Sequence, residues 1–522
     1  MPKPFDFGGV NLTSGPTSGE DSSGAHPSEE TPFCVAILGD FSGRANRGIC
    51  DPKTIGKRRA WLVDRDNFDE VLSRSGAEIQ LPMDESGGLR LRFTELEDFH
   101  PDRIFQQLEV FGKLRELRGR LQDPASFPKA AEELGWGSRD SSRNSASQPG
   151  KPAPAPAAAP SAVQLASGSL LDEMIEQTEA RGITDRPRRS PDEVHEFARR
   201  VVAQHLVNSP DPRQPEIVAV IDRAIGSLMR AILHNPDFQA LEAAWRAAFL
   251  LVRQLETGSQ LKLYLIDISK PELAADLNSA TDLRPTGLYR LLVEQSVETP
   301  GAEPWSIIVG NYSFGAVGDG AQLLSRVAKI ASRAGAPFLA AASPRLLGCA
   351  SLASTPQPRE WKAPPELARA WAELRRLPEA KSVGLALPRF LLRLPYGKKT
   401  SPLESFDFEE FIETPGHEDY LWGNPAIAVA LLLAQCFSEA GWQMHPGTAM
   451  EIDQLPLHVS VRASESESKP PSEVLLTEDA VERILDEGLM PLISFKDRDR
   501  IRLVRFQSIA DPPQGLAGRW SN

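Results

Sequence analysis

Apolar positions follow two rhythms along the chain, one of period two and one of three to four, and the places where they change divide it into segments. The first residues set Phe5, Phe7, Val10 and Leu12 roughly two apart, and the chain up to residue 31 then turns to Ser, Gly, Glu and Pro. Such spacing with no core behind it predicts either a short strand on a tether, able to extend a neighbouring sheet edge, or a tail without fixed structure. Residues 32–137 look like a compact first domain. Phe33–Leu38 is an apolar run ended by Gly39, the profile of a buried strand, and Arg59–Val63 and Leu89–Phe93 are further strand candidates. From Pro101 onward, Ile104, Phe105, Leu108, Phe111, Leu114, Leu117 and Leu121 recur at three and four, which predicts one amphipathic helix. Asp66, Asn67 and Asp69 resemble a carboxylate cluster, but Asp66 stands before a short Phe68/Val71/Leu72 helix and is expected to cap it.

Residues 138–168 are Ser- and Asn-rich and then read KPAPAPAAAP, a composition that forms no core and favours extended conformations. A flexible linker of that length spans about 30 Å on average, so two flanking domains are free to dock within or between molecules. Residues 169–522 form the larger second domain. Ser190-Pro-Asp-Glu193 is a capping box, followed by a helical face of Val194, Phe197, Val201, Val202 and Leu206. Two longer helices carry Ile217, Val220, Ile221, Ile225, Leu228 and Ile232, then Phe238, Leu241, Trp245, Phe249 and Val252. Strands at Leu261–Ile268, Trp305–Gly310, Phe338–Ala342 and Val383–Leu387 are apolar on both faces, as in a sheet covered by helices. Helical patterns separate several of them, so the expected class is α/β, with some α+β mixture.

Composition narrows the function. The net charge of 58 − 71 = −13 disfavours nucleic acid and anionic membranes as partners. Cys34, Cys50, Cys349 and Cys436 include no Cys-x-x-Cys pair, which argues against a zinc site or a disulfide framework and suits a reducing compartment. MPKPFDFGGVNLTSG has no signal-peptide core, and Ala426–Ala434 is shorter than the ~20 residues that span a bilayer, so a soluble cytoplasmic protein without membrane insertion is expected.

No catalytic motif keeps its spacing. In LPYGKKTS, Gly397-Lys398 lacks a glycine five residues earlier, where Leu392 stands, and Lys399 separates Lys398 from Thr400. Gly315, Gly318 and Gly320 run in the wrong order for a dinucleotide turn and predict a loop. The eight histidines include no His-Glu-x-x-His, and Gly-x-Ser-x-Gly does not occur. Asp407, Glu409, Glu410 and Glu413 read as an acidic surface face. The expectation is a protein that is not an enzyme and needs no cofactor or metal.

Two sets of segments resemble two families. VAILGDFSGR (Val35–Arg44), VDRDNFDEVL (Val63–Leu72) and LRFTELEDFHPDRIFQQLEVFGKLRELR within Leu89–Arg118 resemble the small sheath subunit of type VI secretion. LLDEMIEQT (Leu170–Thr178), ILHNPDFQALEAAWR (Ile232–Arg246), LIDISKPEL (Leu265–Leu273), APFLAAASPRLLG (Ala336–Gly348), LPRFLLRLPYGKKT (Leu387–Thr400), YLWGNPAIA (Tyr420–Ala428) and EVLLTEDAVERILDEGLMPL (Glu473–Leu492) resemble the large subunit. Those subunits are normally separate chains, and here the linker joins them.

The resemblance implies a contractile-tail sheath-like fold with strand-exchange arms and peripheral helices. It implies a protomer that polymerises with itself into a helical tube around an inner tube of hexamers, attached to a baseplate, and contracts. A non-contractile shell or adaptor of the same machine is the alternative. The arm Phe5, Phe7, Val10 and Leu12 would be the exchanged strand. Leu170, Leu171, Met174 and Ile175 match a helix that a AAA+ disassembly ATPase binds in the family; the other reading is a helix packed on its own domain. Thr477–Glu487 predicts a helix capped by Thr477 and stopped by Gly488, with Val481, Ile484 and Leu485 inward. Its charged side, Glu478, Glu482, Arg483 and Asp486, would touch the inner tube or simply face solvent.

Overall fold

The computed structural model describes residues 27–82, 88–123, 126–134, 214–315, 320–412, 415–462 and 465–520. The arm Phe5–Leu12, the linker, Leu170–Ile175 and the Ser190 capping box with its helix lie outside these residues.

Nine strands form the main sheet: β1 (Phe33–Gly39), β2 (Trp61–Val63), β5 (Leu261–Asp267), β6 (Trp305–Phe314), β7 (Phe338–Ala342), β8 (Val383–Leu387), β11 (Glu451–Ile452), β14 (Met490–Ser494) and β15 (Ile501–Leu503). Their order is β11-β15-β14-β8-β7-β6-β1-β5-β2. The centre, from β14 through β8, β7, β6 and β1 to β5, is parallel; β2, β15 and β11 pair antiparallel toward the edges. Among the described residues, small two-stranded pairs complete the β structure: β3 (Glu78–Pro82) with β4 (Gly88–Arg92), β9 (Phe390–Leu391) with β10 (Trp422–Gly423), and β12 (His458–Arg462) with β13 (Glu465–Lys469).

Helices cover both faces, and the alternation of β1 shows how. Phe33, Val35 and Ile37 enter one core. There they meet α3 (Glu109–Gln122), α5 (Gln214–Leu233), α6 (Pro236–Gln254) and α10 (Pro425–Ala440). Cys34, Ala36 and Leu38 enter the other, with α7 (Lys270–Asn278), α8 (Gly320–Ala334) and α9 (Pro365–Arg375). This is the three-layer α/β arrangement that a sheet apolar on both faces requires. Further helices among the described residues include α1 (Phe68–Ser75), α2 (Pro101–Gln107), α4 (Phe127–Glu133) and α11 (Glu478–Asp486). The segment Pro425–Gln443 is long and apolar enough to cross a membrane by composition, yet α10 is packed under the sheet with Ala426–Ala434 at most 1% exposed. Asn424 caps it on the Ala426 N–H (2.9 Å) and donates to the Tyr312 carbonyl (3.1 Å), fixing its start against β6.

Three local expectations change. The helix expected from Pro101 breaks at Leu108, whose backbone is extended. Its N–H closes α2 on Ile104 while its carbonyl accepts from Phe111 and Gly112 to open α3. All seven apolar positions are buried, and the bend lets Phe105 stack on Phe406 with centroids 4.6 Å apart. Asp66 does not cap α1: Asn67 holds the cap position, and Asp64 Oδ1 accepts the Asp66 and Asn67 N–H groups (3.0 Å each). Phe249 is 38% exposed, a ring laid edge-on against Phe68 at the surface.

The linker divides the chain but not the core. β1 belongs to the first half by sequence, yet it pairs with β5 and β6 of the second, in registers running from Phe33↔Leu261 to Gly39↔Asp267 and from Cys34↔Trp305 to Leu38↔Gly310. Phe33, Val35, Ile37 and Leu38 are at most 1% exposed, and at about 2 kcal/mol each they contribute on the order of 8 kcal/mol of burial. A protease site placed in residues 138–168 and cut is therefore expected to leave both fragments co-eluting on native gel filtration and separating only in denaturant. Fragments that run apart in native buffer would contradict the shared sheet.

Candidate assembly surfaces and the clasp behind them

At the carboxyl ends of β1 and β5 the two halves are clasped by charge. The chain leaves β1 through Asp40-Phe41-Ser42-Gly43-Arg44, which folds over Asp267 at the end of β5. Asp267 Oδ1 accepts the Phe41 and Ser42 N–H groups (2.9 and 3.1 Å), and its Oδ2 accepts the Ser42 hydroxyl (2.7 Å). Asp40 takes the Arg44 and Ala45 N–H groups (2.6 and 2.8 Å), making the turn. Gly43 has φ +73°, and a side chain there would strike the Glu78 carbonyl. The Trp245 indole of α6 donates to the Phe41 carbonyl (2.9 Å).

Glu272 sits at the centre, its side chain fully buried. Ser269-Lys-Pro-Glu272 opens α7 as a capping box. The same carboxylate also receives Arg44 (2.9 Å) and Arg58 (2.7 Å) from the first half. Burial works against its charge, but the two guanidiniums and the Asp51 and Ser269 N–H groups outweigh it and hold the carboxyl well below the usual range.

A second buried network pins the irregular segment between β9 and β10. Arg393 bonds Glu410 (2.8 Å) and Glu242 of α6 (2.9 Å), and Arg246 also bonds Glu242 (2.7 Å). Tyr396 donates its N–H to Glu410 (2.7 Å), and His234 Nε2 lies 3.4 Å from the same carboxylate. Glu410 is 1% exposed, so the acidic surface face expected over 407–413 fails at this position: the chain turns Glu410 inward because Arg393 is buried opposite it. Asp407 does stay exposed, beside Lys398 (3.2 Å), and Glu409 accepts the Lys398 N–H (3.1 Å). In the LPYGKKTS turn, a side chain on Gly397 would strike the Glu409 carboxylate, an acidic neighbour unsuited to a phosphate.

The outward-facing candidates are two. α11 is built as expected at its ends: Thr477 Oγ1 accepts the Ala480 N–H (3.3 Å), and Gly488 follows with φ +76°. Ala480 and Ile484 are buried, Val481 and Leu485 only half-buried. Glu478, Glu482, Arg483 and Asp486 are all exposed. Arg483 pairs with Glu487 (3.1 Å), and Arg375 lies within 3.7 Å of Glu487, tying the helix end to α9. The sheet edges are the second candidate. β2 ends the main sheet with Leu62 44% exposed; at the other end β11 is two residues long. The β12–β13 hairpin pairs, among the described residues, only with itself, and Val459 on it is 49% exposed. Backbone groups at such edges accept an added strand. Among the described residues no three His, Cys, Asp or Glu side chains converge as a metal cluster.

Comparison with known proteins gives this geometry its context. The family described as EvpB/VC_A0108, tail sheath N-terminal domain, matches residues 215–510, and the family described as type VI secretion system, VipA, VC_A0107 or Hcp2, matches residues 19–132. The chain belongs to the type VI secretion tail sheath family.

It is a fused sheath protein, with small- and large-subunit segments in one polypeptide. The type VI secretion system sheath protein TssC1 of Pseudomonas aeruginosa is 33% identical over 338 residues, 62% of this chain and 68% of that protein. In the fused sheath chain the clasp joins one match to the other: Asp40, Arg44 and Arg58 lie in the first, Asp267 and Glu272 in the second. The stretch Leu170, Leu171, Met174 and Ile175 falls between the matched ranges, and Phe5, Phe7, Val10 and Leu12 fall before them. Sequence reasoning misses Glu272 and Arg393 and misplaces Glu410 on the surface, because a buried ion pair has no local signature. The Ser269–Glu272 capping box was the available hint.

The Glu410 network makes stability depend on pH in a definite direction. Burial would raise this carboxyl, but Arg393, His234 and the Tyr396 N–H hold it down to about 2, against an ordinary 4.5. A depressed carboxyl stabilises the fold above its unfolded value and loses that contribution as pH falls toward the folded one. Between pH 5 and pH 2 the wild-type protein is expected to lose on the order of 3 kcal/mol through this group alone. Glu410→Gln should start less stable at pH 7 and show a flatter melting-temperature profile over that window; parallel profiles would remove Glu410 from the account.

Proposed function

We propose that the protein is the protomer of a type VI secretion contractile sheath: it polymerises into a helical tube around an inner tube of hexamers, stands on a baseplate, and contracts to drive the inner tube outward. The observation that carries this reading is the succession of both sheath-family matches in one chain whose segments share a single sheet. A rigid three-layer body with exposed strand edges and a charged peripheral helix suits repeated self-contact, and many weak interfaces repacking together would store the energy of an extended tube.

In this reading Phe5, Phe7, Val10 and Leu12 add a strand to a neighbour's edge. The exposed Glu478, Glu482, Arg483 and Asp486 meet the inner tube, and Leu170, Leu171, Met174 and Ile175 offer a AAA+ ATPase its grip on contracted sheaths. The work is done in the cytoplasm, without catalysis, cofactor, nucleic acid or membrane insertion. The fused linker also leaves room for a non-contractile shell or adaptor of the same machine, since it fixes the ratio of the halves and restrains their separation.

Electron microscopy of the purified protein with its inner tube tests the proposal. Helical tubes of two lattice lengths are expected. Replacing Phe5, Phe7, Val10 and Leu12 by serine should abolish tubes while the protomer stays folded, and charge reversal at Glu478, Glu482 and Asp486 should spare the sheath lattice but not its fit on the inner tube. A monodisperse monomer under all conditions contradicts the sheath reading; a single lattice length selects the shell.

A further inference from the structure

A groove of about 1260 Å³ opens at the amino-terminal ends of β1 and β5, where the described chain begins. Phe437, Trp442, Met444, Leu516 and Trp520 floor it. Its lining includes two carboxylates, Glu29 and Glu256, one imidazole, His445, and neither lysine nor arginine. The aromatic floor is organised around the first residue of β1, for Phe33 lies 4.7 Å from Phe437, 5.7 Å from Trp442 and 6.3 Å from Trp520, centroid to centroid.

The described chain begins beside this groove. Thr31 donates its N–H to the Ser28 carbonyl (2.9 Å), closing a turn just before β1, and the Trp442 indole donates to the Thr31 carbonyl (2.7 Å). That turn reverses the chain, and Pro27 and Glu29 on its far side form part of the groove wall. The described chain thus begins at the wall itself.

We propose that this groove is the resting site of the chain's own amino-terminal segment, with Phe5 and Phe7 seated on the aromatic floor and Lys3 beside Glu29 and Glu256. In an extended strand Lys3, Phe5 and Phe7 share one face, and Asp6 turns to the other, toward water. The face presented to the groove is therefore apolar and basic, complementary to a floor that is aromatic and a rim that is acidic. The nineteen residues between Phe7 and Pro27 are rich in Ser and Gly, which gives an average reach of about 25 Å and an effective concentration on the order of millimolar at the groove. A free protomer then covers its own two phenylalanines, and they become available to another molecule only when the groove releases them. Docking here is independent of whether the segment later pairs with a neighbour.

The test uses a fluorescent peptide of residues 1–14 titrated, at protein concentrations below those that form tubes, into two full-length proteins: the wild type and Phe5→Ser/Phe7→Ser. The substituted protein is expected to bind the peptide saturably and at least tenfold more tightly than the wild type, whose own segment competes. A peptide carrying the same two serines should lose at least tenfold, and Ser259→Arg, an exposed change on the groove wall, should alter affinity without altering the melting temperature. No saturable binding to the substituted protein overturns the proposal. Equal binding to both proteins, or a concentration-dependent dimer that disappears with Phe5→Ser/Phe7→Ser, overturns self-docking and assigns the groove to another copy's segment.

Discussion

The molecule depends on one strand being supplied from far away in sequence. β1 is flanked on both sides by parallel partners more than two hundred residues downstream, and its two faces enter two separate cores. Without it, β5 and β6 would each present a row of unpaired backbone groups in the middle of a nine-stranded sheet, and neither helical layer would have a continuous floor. Neither half can complete its core alone. The covalent linker therefore fixes the ratio of two parts that the sheet already requires together.

Charge then fixes how they meet. Hydrophobic burial of β1 is non-directional, whereas the Asp267 hydrogen bonds to the Phe41–Ser42 backbone and the double Arg44/Arg58 grip on Glu272 accept a single register. A buried carboxylate between two guanidiniums adds little against a well-packed apolar substitute, but losing one partner leaves a charge stranded in the core. The Arg393–Glu242–Glu410 network plays the same part for the irregular segment between β9 and β10, holding to α6 a stretch with few backbone bonds of its own. The outcome is a body held together by two buried charge networks as well as by its shared sheet.

Where the chemistry of an element is local, it could be read from the sequence. Phe338–Ala342 and Val383–Leu387 were delimited to the residue because strands buried on both faces are short apolar runs with sharp ends. Thr477 and Gly488 announced the ends of α11 through side-chain capping and a positive φ. The break at Leu108 is hidden, because the three-to-four spacing continues across a bend that seats Phe105 on Phe406, three hundred residues away. Glu410 looked like surface for a similar reason: its neighbours Asp407 and Glu409 are outward, and Arg393 opposite it has no local signal. The place of β1 in the other half's sheet was invisible in the same way, since an apolar run carries no address. Of the candidate contacts, α11 lies where the sequence put its charges, while the arm and the Leu170–Ile175 stripe lie outside the described residues.

Hydrogen exchange of the backbone amides of Phe33–Gly39 in the intact protein is the most direct measure of the shared sheet. These amides should exchange as slowly as those of β5 and β6, and only through global opening. Rapid exchange of Phe33–Gly39 while β5 and β6 stay protected would mean that the strand is not held at the centre, and that the two halves fold apart.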